Sequence, residues 1–135
     1  MLVEINCETD FVANTDDFKN LNKDLAMHIA ASTPISVNRE DISSKVLERE
    51  KSIYAEQAKQ SNKPKDIIDK MIEGRINKFY QENVLLEQAF VKDPDKTVND
   101  VITDTIAKLG ENIVVSRFIR FQLGEHANNS IPIDS

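Results

Sequence analysis

Asp10 and Phe11 stand side by side in the stretch Glu4-Ile5-Asn6-Cys7-Glu8-Thr9-Asp10-Phe11-Val12-Ala13-Asn14. Glu4, Glu8, Asp10, Asp16 and Asp17 all come before the first base, Lys19. A large aromatic in such acidic company is either folded back to staple a helix start to its core or offered to another molecule. The polar groups nearby invite a search for reaction chemistry. Asp10 with His28 would be an acid–base pair, yet neither has an evident partner or pocket. Cys7 would need an activating base to act as a nucleophile, and no His-Cys-Asp arrangement is present. It alternates with Val3 and Ile5, which reads as an inert buried thiol. No cluster has zinc or calcium ligand spacing. With three glycines and neither Gly-x-Gly-x-x-Gly nor Gly-x-x-x-x-Gly-Lys, the chain offers no phosphate-binding loop. The reading is therefore no metal, no cofactor and no catalytic residue, which leaves binding as the function to be argued.

The elements that must position these residues follow from periodicity. Val3, Ile5 and Cys7 alternate with Glu4 and Asn6, the period of a half-buried strand over about residues 2–7. Thr9-Asp10 is a helix-start signal. The helix it opens breaks near Asn14-Thr15 and restarts with Asp16 and Asp17, whose charges oppose the positive end of the helix dipole. Phe18, Leu21, Leu25 and Ile29 form its apolar face, and His28 falls beside them. A histidine there is more often a satisfied core residue than a ligand. Met27, Ala26 and Ala30 lie toward the other side, so Met27 belongs either to a second packed layer or to an interface. Pro34 ends the helix.

Two further amphipathic helices are expected over about 43–61 and 64–82, joined by the tight break Ser61-Asn62-Lys63-Pro64. So short a link makes them an antiparallel hairpin. Gly74 inside the second of them costs roughly 1 kcal/mol relative to alanine, and close helix approach is its expected use. Residues 84–91 read as a strand and Asp93-Pro94-Asp95 as a turn. Thr97 with Asp100 is a capping pattern, and Gly110 stops the helix it begins. Residues 112–123 read as a long last strand, with Ile113, Val115, Ile119, Phe121 and Leu123 on one face and Val114 and Phe118 on the other. The expected fold is α+β, with a three-stranded, mainly antiparallel sheet covered on one face by helices.

Length and composition agree with this reading. A chain of 135 residues, 40% hydrophobic and 30% charged, suits one globular domain. No apolar run reaches the length of a membrane span, so no membrane partner is expected. The net charge of −6 argues against nucleic acid as a partner. One cysteine allows no internal disulfide and points to a reducing compartment.

Residues 4–14 resemble the signature of the elongation factor Ts family, the nucleotide exchange factors of the translation GTPase elongation factor Tu. Met27-His28-Ile29-Ala30-Ala31-Ser32, Lys63-Pro64, Glu73-Gly74-Arg75 and Arg117-Phe118-Ile119-Arg120-Phe121 resemble the family as well, in the same order. The likeness covers nearly the whole chain. It implies a non-enzymatic protein of translation elongation that binds elongation factor Tu and promotes GDP release. In that picture Asp10, Phe11 and Val12 enter the GTPase, and Phe11 wedges between side chains near its magnesium-binding region. The helix around Met27 and His28, with the strand region, holds another domain of the partner.

The resemblance also bears on organisation. Relatives carry a small three-helix module ahead of the signature, whereas this chain begins at the first core strand. Residues 1–125 are accordingly expected to be a core domain with its hairpin at about 43–82, and residues 126–135 a flexible tail. Long members have two similar half-cores. One half-core, as here, resembles the short, Thermus-like type, which is completed by homodimerisation. Ile119 stands where some short members have a subunit-linking cysteine, so the homodimer is expected to be non-covalent. The implied location is the bacterial cytoplasm, with plastid stroma or mitochondrial matrix as alternatives. The rival reading is a structural, dimerising module with little exchange activity for want of the N-terminal domain.

Overall fold

The computed structural model describes residues 1–124. The tail expected over 126–135 lies outside the described residues. Strand β1 (Leu2–Asn6) leads into a one-turn helix, α1 (Asp10–Ala13), and the central helix α2 (Asp16–Ser32). The hairpin follows as α3 (Ser44–Lys59) and α4 (Lys65–Asn83), then β2 (Ala89–Phe90), β3 (Asp93–Thr97), α5 (Val98–Leu109) and β4 (Val114–Ile119).

The helix boundaries are where the capping residues put them. Thr15 accepts a hydrogen bond from the Phe18 N–H and starts α2. Thr33 closes it in the left-handed region at φ 48°, just before Pro34. Thr97 and Asp100 form a reciprocal capping box at the start of α5, with bonds of 3.1 and 3.0 Å. Gly110, at φ 75°, ends that helix and returns its N–H to the Ile106 carbonyl.

The α+β class and the antiparallel pairing are as read, but the strands fall into two separate pairs. β1 pairs with β4, and β2 pairs with β3. Residues 84–91 are mostly not strand. Leu85–Glu87 form a 3₁₀ turn, and only Ala89 and Phe90 join a ladder. The preceding residues instead meet the segment after α2, where the Ile35 and Leu85 N–H groups donate to the Asn83 and Ser36 carbonyls at 2.8 Å. The reversal expected at Asp93-Pro94-Asp95 occurs at Val91-Lys92, and residues 93–97 are strand.

β4 also departs from strict alternation. Glu4 pairs with Arg117 and Ile5 with Val115, which leaves Ser116 as an extra residue. The bulge reverses the inside–outside phase. Ile113 and Val115 point inward before it, and Phe118 packs against the core after it. Phe121 and Leu123, expected on the inner face, are exposed.

The core lies between α2, α5 and the β1–β4 pair. Phe18, Leu21, Leu25 and Ile29 of α2 meet Val98 and Ile102 of α5, with Ile113, Val115, Leu85, Phe90, Val37 and Val12 around them. No residue of α3 or α4 belongs to this cluster. The hairpin is an arm, held together by its own contacts. Arg75 lies over the Tyr54 ring at 5.5 Å and donates to Gln57 at 3.2 Å. Gly74 is exposed, and a Cβ there would meet nothing within 4 Å. The close helix approach expected of it is absent.

Candidate partner-binding site

The site begins where β1 runs out. Cys7, half-buried rather than fully buried, donates its thiol hydrogen to the Thr9 carbonyl at 3.3 Å. Thr9 then caps α1 by accepting from the Val12 N–H at 3.3 Å. The Asn14 side chain donates to the Asp10 carbonyl at 3.0 Å, and Thr15 donates to the Val12 carbonyl at 2.7 Å. A four-residue helix has little cooperativity of its own. These side-chain bonds do the work that length does in a longer helix.

The consequence is a fixed division between neighbours. Val12 turns inward and is 5% exposed, while Phe11 is 85% exposed. Phe11 is therefore no staple for the core. Leaving such a ring in water forgoes roughly 1.5–3 kcal/mol of burial. Asp10 is exposed beside it.

A second tie reaches α1 from the far end of the chain. The Glu111 carboxylate accepts from the Thr9 N–H at 3.0 Å and from the Thr9 hydroxyl at 2.6 Å. In return the Glu8 carboxylate accepts from the Asn112 N–H at 2.8 Å. Nearby, Lys108 meets Asp17 at 3.1 Å. The first contacts join positions 102 and 104 residues apart. Glu111 follows Gly110, and an acid placed after a helix-ending glycine was the one available signal. It names no partner, so sequence reasoning misses it.

Met27 and His28 are adjacent in sequence and opposite in environment. Met27 is 46% exposed on the outer side of α2, whereas His28 is fully buried. His28 stacks on Phe90 with ring centroids 5.9 Å apart and accepts at Nδ1 from the Val91 N–H at 3.2 Å. Its Nε2 faces the Gln88 side-chain carbonyl at 2.9 Å. Burial pushes the His28 pKa below its ordinary value, against the opposing effect of the Gln88 hydrogen bond. The structure thus brings Asp10, Phe11 and Val12 together on one turn. It sets Met27 on a separate surface of α2, and it turns His28 into a buried tie between α2 and the β2–β3 turn.

Among the described residues, no group of three or more His, Cys, Asp or Glu side chains could hold a metal ion. No described helix is long and apolar enough to cross a membrane. An open groove of about 440 Å³ is lined by Asn38, Arg39, Gln81, Glu87, Thr97 and Asn99, and shares no residue with the Phe11 element. Its Arg39 is already engaged, by Glu87 at 2.6 Å and by the Tyr80 ring at 4.4 Å.

Fold and site together describe a small α+β domain that holds one aromatic outward on a pinned turn. Comparison with known proteins identifies the domain. The family model for elongation factor Ts matches residues 20–125. Elongation factor Ts of Thermoanaerobacter sp. (strain X514) is 55% identical over 130 residues, covering 96% of this chain and 64% of that protein. Elongation factor Ts of Geotalea daltonii is 59% identical over 125 residues, covering 93% of this chain and 58% of that protein. The chain belongs to the elongation factor Ts family, and it spans about three fifths of the length of these relatives.

Proposed function

We propose that this chain is a component of translation elongation that binds elongation factor Tu through the turn carrying Phe11 and promotes release of its GDP. The observation that carries the reading is the outward Phe11 ring beside the inward Val12. A turn already fixed in place loses little backbone freedom on binding, and aromatic anchors dominate interface energies. Asp10 and Phe11 contact the partner directly, and Val12 seats the turn that presents them. Met27 offers a second contact on α2, and His28 supports it from inside by holding that helix to Val91.

The mechanism is a wedge. Phe11 inserts between side chains near the magnesium-binding region of the GTPase and loosens its magnesium and phosphate contacts. Bound chain lowers the affinity of the GTPase for GDP, and bound GDP lowers its affinity for this chain by the same factor. The chain itself turns over no nucleotide. It acts as a non-covalent homodimer joined through the β1–β4 pair, a reading supported by exposed Leu2, Phe121 and Leu123 on and just beyond those strands. Its place of action is the bacterial cytoplasm. Stopped-flow release of fluorescent GDP from elongation factor Tu tests the central claim. Acceleration that saturates with added protein supports it, and an unchanged rate at saturating protein overturns it.

A further inference from the structure

We infer that Glu111, with Glu8 as its reciprocal, is a positioning residue that presets Phe11 for its partner. The inference rests on the exchange reading above and adds a residue to it. Glu111 reaches both hydrogen-bond donors of Thr9, the N–H at 3.0 Å and the hydroxyl at 2.6 Å. Donating its hydroxyl hydrogen to Glu111 leaves a Thr9 oxygen lone pair free to accept from the Val12 N–H at 3.3 Å. The chain of bonds thus runs from the carboxylate through Thr9 into α1. Glu8 closes the circuit from the other side through the Asn112 N–H, so two adjacent pairs of residues hold each other. Gly110 makes the geometry possible, because its φ of 75° turns the chain out of α5 and delivers Glu111 toward Thr9.

The clamp is needed because of what α1 lacks. It has four residues and buries only Val12. Phe11, the side chain that would normally anchor such a turn, is turned away from the core. Without an external tie the turn would sample other conformations, and only a fraction of molecules would present Phe11 correctly. Apparent affinity falls in proportion to that fraction. Losing hydrogen bonds to a charged acceptor is worth about a tenfold change in such an equilibrium.

The test measures GDP release from elongation factor Tu over a range of concentrations for the full chain and for Glu111→Ala, Glu111→Gln, Phe11→Ala and the Glu111→Ala/Phe11→Ala double variant. Thermal unfolding and amide hydrogen exchange are followed on the same samples. Glu111→Ala should raise the half-saturating concentration by up to about tenfold while nearly preserving the rate at saturation. Glu111→Gln keeps one of the two acceptor oxygens without the charge and should recover part of the loss. In the Phe11→Ala background Glu111→Ala should change exchange activity far less, because most of its effect passes through that ring. A purely structural role would instead lower unfolding temperature and activity equally in both backgrounds, and that result overturns the inference. So does wild-type behaviour of Glu111→Ala. Should the unsubstituted chain fail to release GDP, the exchange reading falls and the inference about partner binding falls with it. The clamp itself is then read separately from amide exchange at Val12 and Ala13, which Glu111→Ala should speed about tenfold if Glu111 holds the turn.

Discussion

The His28 ring nitrogen Nε2 lies 2.9 Å from the Gln88 side-chain oxygen, inside the core. Because Nδ1 accepts from the Val91 N–H, the proton of the neutral ring sits on Nε2 and is donated to Gln88. Gln88 in turn donates to the Ser32 and Glu82 carbonyls at 3.3 and 2.8 Å. One buried network thereby ties the end of α2, the end of α4 and the β2–β3 turn. Protonating His28 at Nδ1 would break the Val91 bond and leave a charge in the core.

That arrangement makes stability depend on pH in a defined direction. The folded pKa of His28 is depressed below its ordinary 6.5 by burial. Below 6.5 the unfolded chain takes up a proton that the folded chain refuses, so the unfolded state gains. The His28 contribution is present in full above 6.5 and is lost as pH falls through the lower folded value. Urea midpoints between pH 7.5 and 5.5 should fall for the unsubstituted protein and flatten for His28→Gln. Ordinary carboxylates titrate below this window and do not confuse the result.

Gln88→Ala should be more damaging than its polar character suggests. It strands the His28 Nε2–H and removes the donors to two carbonyls, which should cost about 2–3 kcal/mol. Denaturant unfolding measures the loss directly. A change within 0.5 kcal/mol, roughly the level of an ordinary surface substitution, would show that water replaces the side chain at no penalty.

Phe11→Ala and Val12→Ala should separate function from folding at adjacent positions. Phe11→Ala removes an exposed ring and should leave the unfolding temperature unchanged, while exchange weakens by about 2 kcal/mol or more. Val12→Ala opens a space under the turn and should cost about 1–3 kcal/mol of stability. Unfolding curves and GDP-release titrations on the same preparations give both numbers. The reverse pattern would place the partner contact elsewhere.

Assembly is expected to be a non-covalent dimer. Light scattering at tens of micromolar should report twice the 15.3 kDa chain mass, unaltered by reductant. Leu2→Lys with Phe121→Lys should return the protein to monomer by placing like charges on the surface proposed to join the subunits. A monomer before substitution defeats this expectation.

Gly74→Ala should stabilise the protein. The residue lies inside α4 with open space where a Cβ would go, so alanine gains helix propensity at no steric cost. The expected gain is about 1 kcal/mol, read as a higher unfolding midpoint. A loss instead would reveal a close neighbour on that face in solution.

Local chemistry was enough to define the helices and the Thr9-Asp10-Phe11 turn. Caps at Thr15 and Thr97, the stop at Gly110 and the stripe Phe18-Leu21-Leu25-Ile29 act within a few residues of themselves, so the sequence alone determined them. The same holds for family membership, whose motifs are contiguous. What tertiary structure alone decided is everything that depends on a distant partner. Phe11 is identical as a sequence signal whether it staples or protrudes, and only the burial of Val12 against the core settles its direction. The phase reversal in β4 comes from pairing with Glu4 and Ile5 across the sheet, which a period-two reading of residues 112–123 cannot contain. Residues 84–91 have strand-like composition, yet their backbone groups are partly claimed by Ser36 and Val37, so most of that segment never joins a ladder. Glu111 and Gln88 acquire their roles through contacts 102 and 60 residues away. Such contacts arise only when the core brings the ends of α2 and α4 together in one place and the end of α5 to the β1–α1 junction in another, because a hydrogen bond reads distance in space and not in sequence.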